Sequence, residues 1–338
     1  MISADFDGFR PAPYLPGRHL QTIVPAFFPP SWPPRESETL QVEAAPGNRL
    51  LLRVDRPAAP RGTLVLVHGL GGSADSGYMR RTASLALSRG WITVRVNLRN
   101  CGGTEALART LYNAGQSDDA GSVLESLAEA GFARPFTIVG FSLGGNLVLR
   151  YAGMAGGRCH AAAIAAVNPP VDLEASVRSL ERWNNAVYHG YFTWRLCSLL
   201  RRIRRVRIVP GPAADPLRIR SVRRFDELFT APDAGYASAD DYYRHASAAP
   251  FLETIAVPTL ILSSRDDPFV PAEIFRSARE ACPRLTLVQP GRGGHVGYWQ
   301  AHPPRFWAGW AVLEYLEEVL GWSERPAGGN PDAISRVF

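Results

Sequence analysis

The chain has 338 residues, 46% hydrophobic and 20% charged, with a formal net charge of +6. This composition excludes a disordered chain and leaves room for one large α/β core plus an insertion. Its four cysteines, Cys101, Cys159, Cys197 and Cys282, lie far apart, with no C-x-x-C pair and no histidine at metal-finger spacing. Neither a disulfide framework nor a zinc site is expected, and a reducing compartment fits best. The N-terminus lacks the basic start and apolar stretch of a signal peptide, and no run of about 18 apolar residues occurs, so a cytoplasmic protein without a membrane span is expected.

Residues 1 to about 38 are rich in proline and aromatics (PAPYLPG, PAFFPPSWPP) and carry no helical or strand period, which reads as an extended arm packed on the body. Strand-length apolar runs follow at about 49–54, 63–67, 91–96, 135–139, 161–167, 258–262 and 284–288, most of them apolar on both faces. Helix-like stretches lie between them at about 77–89, 117–130, 143–153, 271–280 and 303–320. Alternating strands and helices predict a mostly parallel central sheet with helices on both faces, an α/β fold whose site lies at the carboxyl ends of the strands. The segment 171–250 carries no convincing strand and is too long for a loop, so it reads as a mainly helical cap inserted over that edge. The core is then 39–170 and 251–325, and 326–338 reads as a flexible tail.

At the end of the fourth of these runs, PFTIV leads into Gly140-Phe141-Ser142-Leu143-Gly144-Gly145, with an alanine- and leucine-rich helix after it. G-x-S-x-G between a strand and a helix exposes a serine on a sharp turn. The bare pattern is weak evidence; its setting and its partners make it specific. A serine hydroxyl needs an adjacent base, and the order Ser, acid, His is present. The acid comes from Asp266-Asp267-Pro268-Phe269-Val270-Pro271 after the strand PTLIL. Asp267 is preferred for its spacing to the D-P-x-V-P run, with Asp266 as the alternative. The base is His295, in Gly291-Arg292-Gly293-Gly294-His295 after the strand LTLV.

The negative oxygen of a tetrahedral intermediate needs pre-aimed donors. The backbone amide of Leu143, directly after the serine, is one. His68-Gly69-Leu70-Gly71-Gly72 follows the strand TLVLV and supplies the second through Leu70. No G-K-[ST] accompanies HGLGG, which argues against a phosphate-binding loop, and His68 reads as structural.

These motifs together resemble the YheT-like branch of the α/β-hydrolase superfamily, related to the animal ABHD-type acylglycerol lipases, over nearly the whole chain. The resemblance rests on Gly17-Arg18-His19-Leu20-Gln21-Thr22, HGLGG, Asn97-Leu98-Arg99-Asn100-Cys101-Gly102-Gly103, GFSLGGN ending at Asn146, Asn168-Pro169-Pro170-Val171-Asp172-Leu173, the DDPF run and GGHVG from Gly293. It implies an α/β-hydrolase fold and serine-dependent hydrolysis of acyl esters, monoacylglycerols among them, with no cofactor and no metal. The relay then falls on Ser142, Asp267 and His295. Asn100 and Asn113 stand where the family commonly has glycine and histidine, and both are expected at the pocket's rim. His19 and Gln21 read as packing residues.

The cap holds an arginine-rich run, Trp194 to Arg207, which reads either as a solvated face paired with nearby acids or as a face for anionic membrane or substrate; nucleic acid is not expected. Trp183, Tyr188, Tyr191, Phe192 and Trp194 either line an acyl tunnel or pack the cap on the body. A thioesterase or acyltransferase would use the same triad, and a non-catalytic binding protein could keep the fold. The expected partner is a small-molecule or lipid acyl ester, and the expected assembly is a monomer or small homo-oligomer.

Overall fold

Strands that are apolar on both faces need a covering layer on each side. The computed structural model, which describes residues 8–27, 36–213, 215–276 and 282–322, arranges them in that way. Its sheet has eight strands among the described residues: β1 (Glu38–Ala45), β2 (Asn48–Asp55), β3 (Gly62–Val67), β4 (Trp91–Asn97), β5 (Phe136–Phe141), β6 (Ala163–Val167), β7 (Thr259–Leu262) and β8 (Leu285–Val288). The order is β1-β2-β4-β3-β5-β6-β7-β8. β2 runs antiparallel to its neighbours β1 and β4, and every pair from β4 through β3 to β8 is parallel.

Successive residues of a strand point to opposite faces. Leu64 and Leu66 pack with Met79 and Ala83 of α2 (Gly77–Ser88) and with Trp307 and Ala311 of a late helix, Trp307–Val319. Val65 and Val67 belong to the other layer, with Val123 and Leu124 of α3 (Asp118–Glu129) and Leu147 of α4 (Leu143–Ala155). The fold is the α/β-hydrolase arrangement expected.

Between β6 and β7 the described residues form only helices and turns: α5 (Leu173–Leu180), α6 (Ala186–Ile203), α7 (Val222–Phe225), α8 (Ala231–Ala234) and α9 (Ala239–Ala246). The late helix, Trp307–Val319, is therefore α10. The two ends of this insertion lie side by side, since the Leu173 amide donates to Ser247 Oγ at 3.0 Å and the Ala249 amide to the Val171 carbonyl at 2.9 Å. Ends stitched together let a long insertion close with little additional loop entropy.

Three features depart from the sequence reading. The N-terminal arm is not wholly extended, because Arg18–Phe27 is a helix, α1. Leu20, Ile23, Val24 and Phe27 do fall at helical spacing, a short stripe among prolines that the sequence reading passed over, yet the residues the helix buries are Gln21, Thr22 and Pro25. β1 was not expected as a strand because it is the sheet's edge, with Val42 as its one fully buried residue. Of the helix expected at 271–280, the described part is a single turn, Ala272–Phe275, and 277–281 lie outside the described residues, as does the tail from 323.

Asp226, which follows α7, is buried inside the cap. Its carboxylate accepts from Thr230 Oγ1 and from Tyr243 Oη, both at 2.7 Å. Burial outweighs those two bonds and pushes its pKa up to about 6. A raised acid pKa stabilises the fold below the unfolded value and loses that contribution as pH rises through the folded one. Asp226→Asn is therefore expected to raise stability at pH 7 by roughly 1–3 kcal/mol, with the gain vanishing near pH 4. Urea midpoints of both proteins across pH 4–8 check this, and a pH-independent difference would show the assignment to be wrong.

Candidate active site

The turn from β5 into α4 carries Ser142. Its backbone has φ 52° and ψ −121°, outside the regions open to ordinary L-residues, a conformation that costs on the order of 1–3 kcal/mol and persists only when the surroundings enforce it. They do so through three bonds: Ser142 N–H to the Val167 carbonyl at 2.8 Å, and the amides of Gly145 and Asn146 to the Ser142 carbonyl at 2.7 and 3.2 Å. The turn is also too tight for side chains at its glycines. A Cβ on Gly144 would lie 2.5 Å from the Val67 carbonyl oxygen.

Ser142 Oγ lies 2.8 Å from His295 Nε2, and His295 Nδ1 lies 2.7 Å from Asp267 Oδ2. The three sequence-predicted residues thus form one hydrogen-bonded chain across the carboxyl ends of β5, β7 and β8. Asp266 is used differently: its Oδ1 accepts the Gly294 amide at 2.9 Å and so braces the loop that carries the histidine.

The Asp267 side chain is fully buried. Its second oxygen accepts the amides of Phe269 and Val270 at 3.0 and 2.9 Å, and Asn168 Nδ2 donates to Oδ2 at 2.6 Å. These donors keep the carboxylate oriented and compensated in the interior. Asn168, also at positive φ (48°), accepts the Val296 amide on Oδ1 at 3.2 Å, so it fixes both the acid and the histidine loop.

On its other side the histidine loop is held by α1. Thr22 Oγ1 accepts the His295 amide at 2.8 Å and donates to the Arg18 carbonyl at 2.7 Å. Gln21 is buried, with Nε2 donating to the carbonyls of Leu15 and Trp299 and Oε1 accepting the Trp299 amide at 2.8 Å. The packing is close enough that a Cβ on Gly297 would lie 1.8 Å from the Gln21 carbonyl. Sequence reasoning had classed Gln21 as packing and assigned nothing to Thr22 or Asn168. The signal available for each was its place in the GRHLQT or NPPVDL motif.

HGLGG runs beside the serine: a Cβ on Gly69 would be 2.9 Å from Ser142 Cβ. The loop is pinned around its centre. Gly69 N–H donates to Tyr78 Oη at 3.0 Å, Gly71 N–H to Tyr112 Oη at 2.9 Å, and the Arg195 guanidinium of α6 bonds the Gly71 carbonyl. Among the described residues the Leu70 amide has no partner. Leu143 is the first residue of α4, where backbone N–H groups have no intrahelical acceptor. His68 is buried, its Nδ1 bonded to the Gly69 carbonyl at 2.8 Å and its Nε2 accepting the Leu98 amide at 3.2 Å. Burial lowers its pKa to about 4, so it is neutral and structural. The NLRNCGG motif serves the same loop, with Asn97 Oδ1 accepting the Ala74 amide at 2.9 Å.

A cavity of about 320 Å³ opens on Ser142 and His295. Leu70, Phe27 of α1, and Tyr188, Tyr191 and Phe192 of α6 are among its walls; Trp183 and Trp194 of the expected aromatic set do not line it and are exposed. Asn100 and Asn113, expected at its rim, are buried elsewhere in local turns. Among the described residues no group of three or more His, Cys, Asp or Glu could hold a metal. Such a chain can move a proton from the serine hydroxyl to the imidazole.

Thr22→Val keeps shape but removes the acceptor for the buried His295 amide, which costs about 1–3 kcal/mol. A lower melting temperature together with a fall in kcat larger than any change in KM is expected. Unchanged kcat would show that α1 does not position the histidine.

A family model for the alpha/beta hydrolase fold matches residues 62–301. The chain is 33% identical over 297 residues to "Putative esterase YheT" of Escherichia coli, covering 83% of this chain and 84% of that protein. It is 30% identical over 251 residues to Phospholipase ABHD3 of Homo sapiens, covering 73% of this chain and 61% of that one. Among solved structures it is similar to Est1E from Butyrivibrio proteoclasticus, with a TM-score of 0.56, 16% identity and coverage of 84% and 100%. The chain belongs to the α/β-hydrolase family, in its YheT-like branch.

Proposed function

We propose that this protein hydrolyses carboxylic esters of acyl lipids or small acyl esters through an acyl-enzyme on Ser142. The observation that carries the reading is the unbroken chain Ser142–His295–Asp267, at 2.8 and 2.7 Å, at the wall of an aromatic-lined cavity. Relatives named as esterase, phospholipase and monoacylglycerol lipase support ester hydrolysis in general.

Ser142 Oγ attacks the ester carbonyl carbon while His295 Nε2 takes the hydroxyl proton. The carbonyl oxygen becomes an oxyanion held by the Leu70 and Leu143 amides, each donor worth roughly 3–4 kcal/mol of barrier. Collapse breaks the bond to the alcohol, which leaves with the proton from His295. Water then attacks the acyl-serine by the same steps in reverse, and the acid departs. Asp267 stays ionised throughout, holding the tautomer with Nε2 free to accept and offsetting the imidazolium charge.

The mouth of the cavity includes Phe27 and Val187, 55% and 75% exposed, an apolar rim that favours an acyl chain. The arginine-rich run of the cap is read as a solvated face, since Arg201, Arg202 and Arg207 pair with Asp215, Glu105 and Asp233. No helix among the described residues is long and apolar enough to cross a membrane.

The test is a p-nitrophenyl ester series from acetyl to palmitoyl. Turnover that rises from acetyl to medium chains, and falls by about 10⁴-fold or more in Ser142→Ala and His295→Ala, is expected. Equal rates in the variants, or no turnover by the wild type, would overturn the reading.

A further inference from the structure

Among the described residues that line the cavity beside Ser142, two are cationic, Arg81 of α2 and Arg195 of α6, and none is acidic. Arg81 is 2% exposed. Its Nη2 donates to the Pro25 carbonyl at 3.3 Å, and its Nε and Nη1 have no partner. Its guanidinium carbon sits 4.8 Å from the ring centre of Phe306 and 5.7 Å from that of Trp299, which offer π faces but no negative charge. No ion pair to a carboxylate is formed by Arg81 or Arg195 among the described residues.

A buried cation without a counter-charge is unfavourable, and a leucine or methionine in the same wall would cost less. Such a group is retained where something that enters the cavity supplies the missing charge. Arg195 adds a second cation on the same wall system. One of its nitrogens bonds the Gly71 carbonyl, next to Leu70, so its charge lies close to the reacting ester. The negative group behind His295, Asp267, is already compensated by Asn168 and two amides and does not face the cavity. A low-dielectric cavity walled by two arginines that meet no carboxylate, and by no acid, carries a positive potential, and guanidinium forks match carboxylate and phosphate oxygens.

We propose that this cavity selects esters bearing an anionic group, a carboxylate or a phosphate, through Arg81 and Arg195, neither of which meets a carboxylate among the described residues. The proposal rests on Ser142 being the ester-cleaving nucleophile. The preference lies in an amphiphilic substrate: an acyl chain for the aromatic wall and a charged end for the arginines.

Two substrate pairs test it, each matched except for charge and used below aggregation: 1-lauroylglycerol against 1-lauroylglycerol 3-phosphate, and p-nitrophenyl hexanoate against mono-p-nitrophenyl adipate. In at least one pair the wild type is expected to favour the anionic member by tenfold or more in kcat/KM. The phosphate pair and the carboxylate pair identify which anion is meant. The ratio within each variant cancels any general loss of activity. It is expected to fall at least fivefold in both Arg81→Met and Arg195→Met, and to be largely kept in Arg81→Lys. Arg81→Met, which removes an uncompensated charge, is expected not to lower the melting temperature. Ratios at or below one in both pairs, with neutral esters turned over, would overturn the anion preference and leave the esterase reading standing. Ratios unchanged in both Met variants would overturn the assignment to these arginines. No ester turned over at all would remove both readings together.

Discussion

A single buried carboxylate ties together three strand ends. Asp267 accepts from Asn168 beyond β6, from the Phe269 and Val270 amides beyond β7, and contacts His295 beyond β8. Removing an ion from water costs several kcal/mol unless dipoles replace the lost hydration. These donors do so, and in doing so they fix how the loops after three neighbouring strands sit relative to one another. The carboxylate held in this frame then presents Oδ2 to the imidazole at 2.7 Å and so helps to set the histidine's position.

Against that fixed frame the serine is placed by a different device. Its turn stores backbone strain, enforced by the parallel register of β5 with β3 and β6 and by glycines where no Cβ fits. The HGLGG loop is pinned by tyrosines from two directions, Tyr78 of α2 and Tyr112 before α3, with an arginine from the cap bonding the Gly71 carbonyl. Ser142, Asp267, His295 and the HGLGG loop are therefore each held in place for a separate reason. A preorganised polar site of this kind needs little rearrangement as charge develops.

Much of this was legible from the residues. The parallel strands announce themselves as apolar runs because they are buried on both faces, and the chain order of Ser142, Asp267 and His295 follows from where those runs end. The choice between Asp266 and Asp267 was weighed from spacing alone, whereas in the fold one meets the imidazole and the other braces Gly294. What stayed hidden was stabilised by contacts distant in sequence. α1 buries a glutamine, a threonine and a proline that lie beside its short apolar stripe and not on it, and Thr22 gains its meaning from an amide 273 residues away. Arg81 looked like any helix arginine, since only the packing of Phe306 and Trp299 around it reveals its burial.

The clasp between α1 and the histidine loop also sets an order of assembly. Its two halves belong to opposite ends of the described chain, so the loop-closure entropy between them is repaid only after the intervening sheet has formed. It is held by the Thr22 bond to the His295 amide and by the bonds of Gln21 to Leu15 and Trp299. Full competence of the site thus depends on a contact that needs the intervening sheet to bring the two ends of the described chain together. Without it His295 keeps its bond to Asp267 but loses the acceptor of its own amide, a change that the circular dichroism of the sheet and helices does not register.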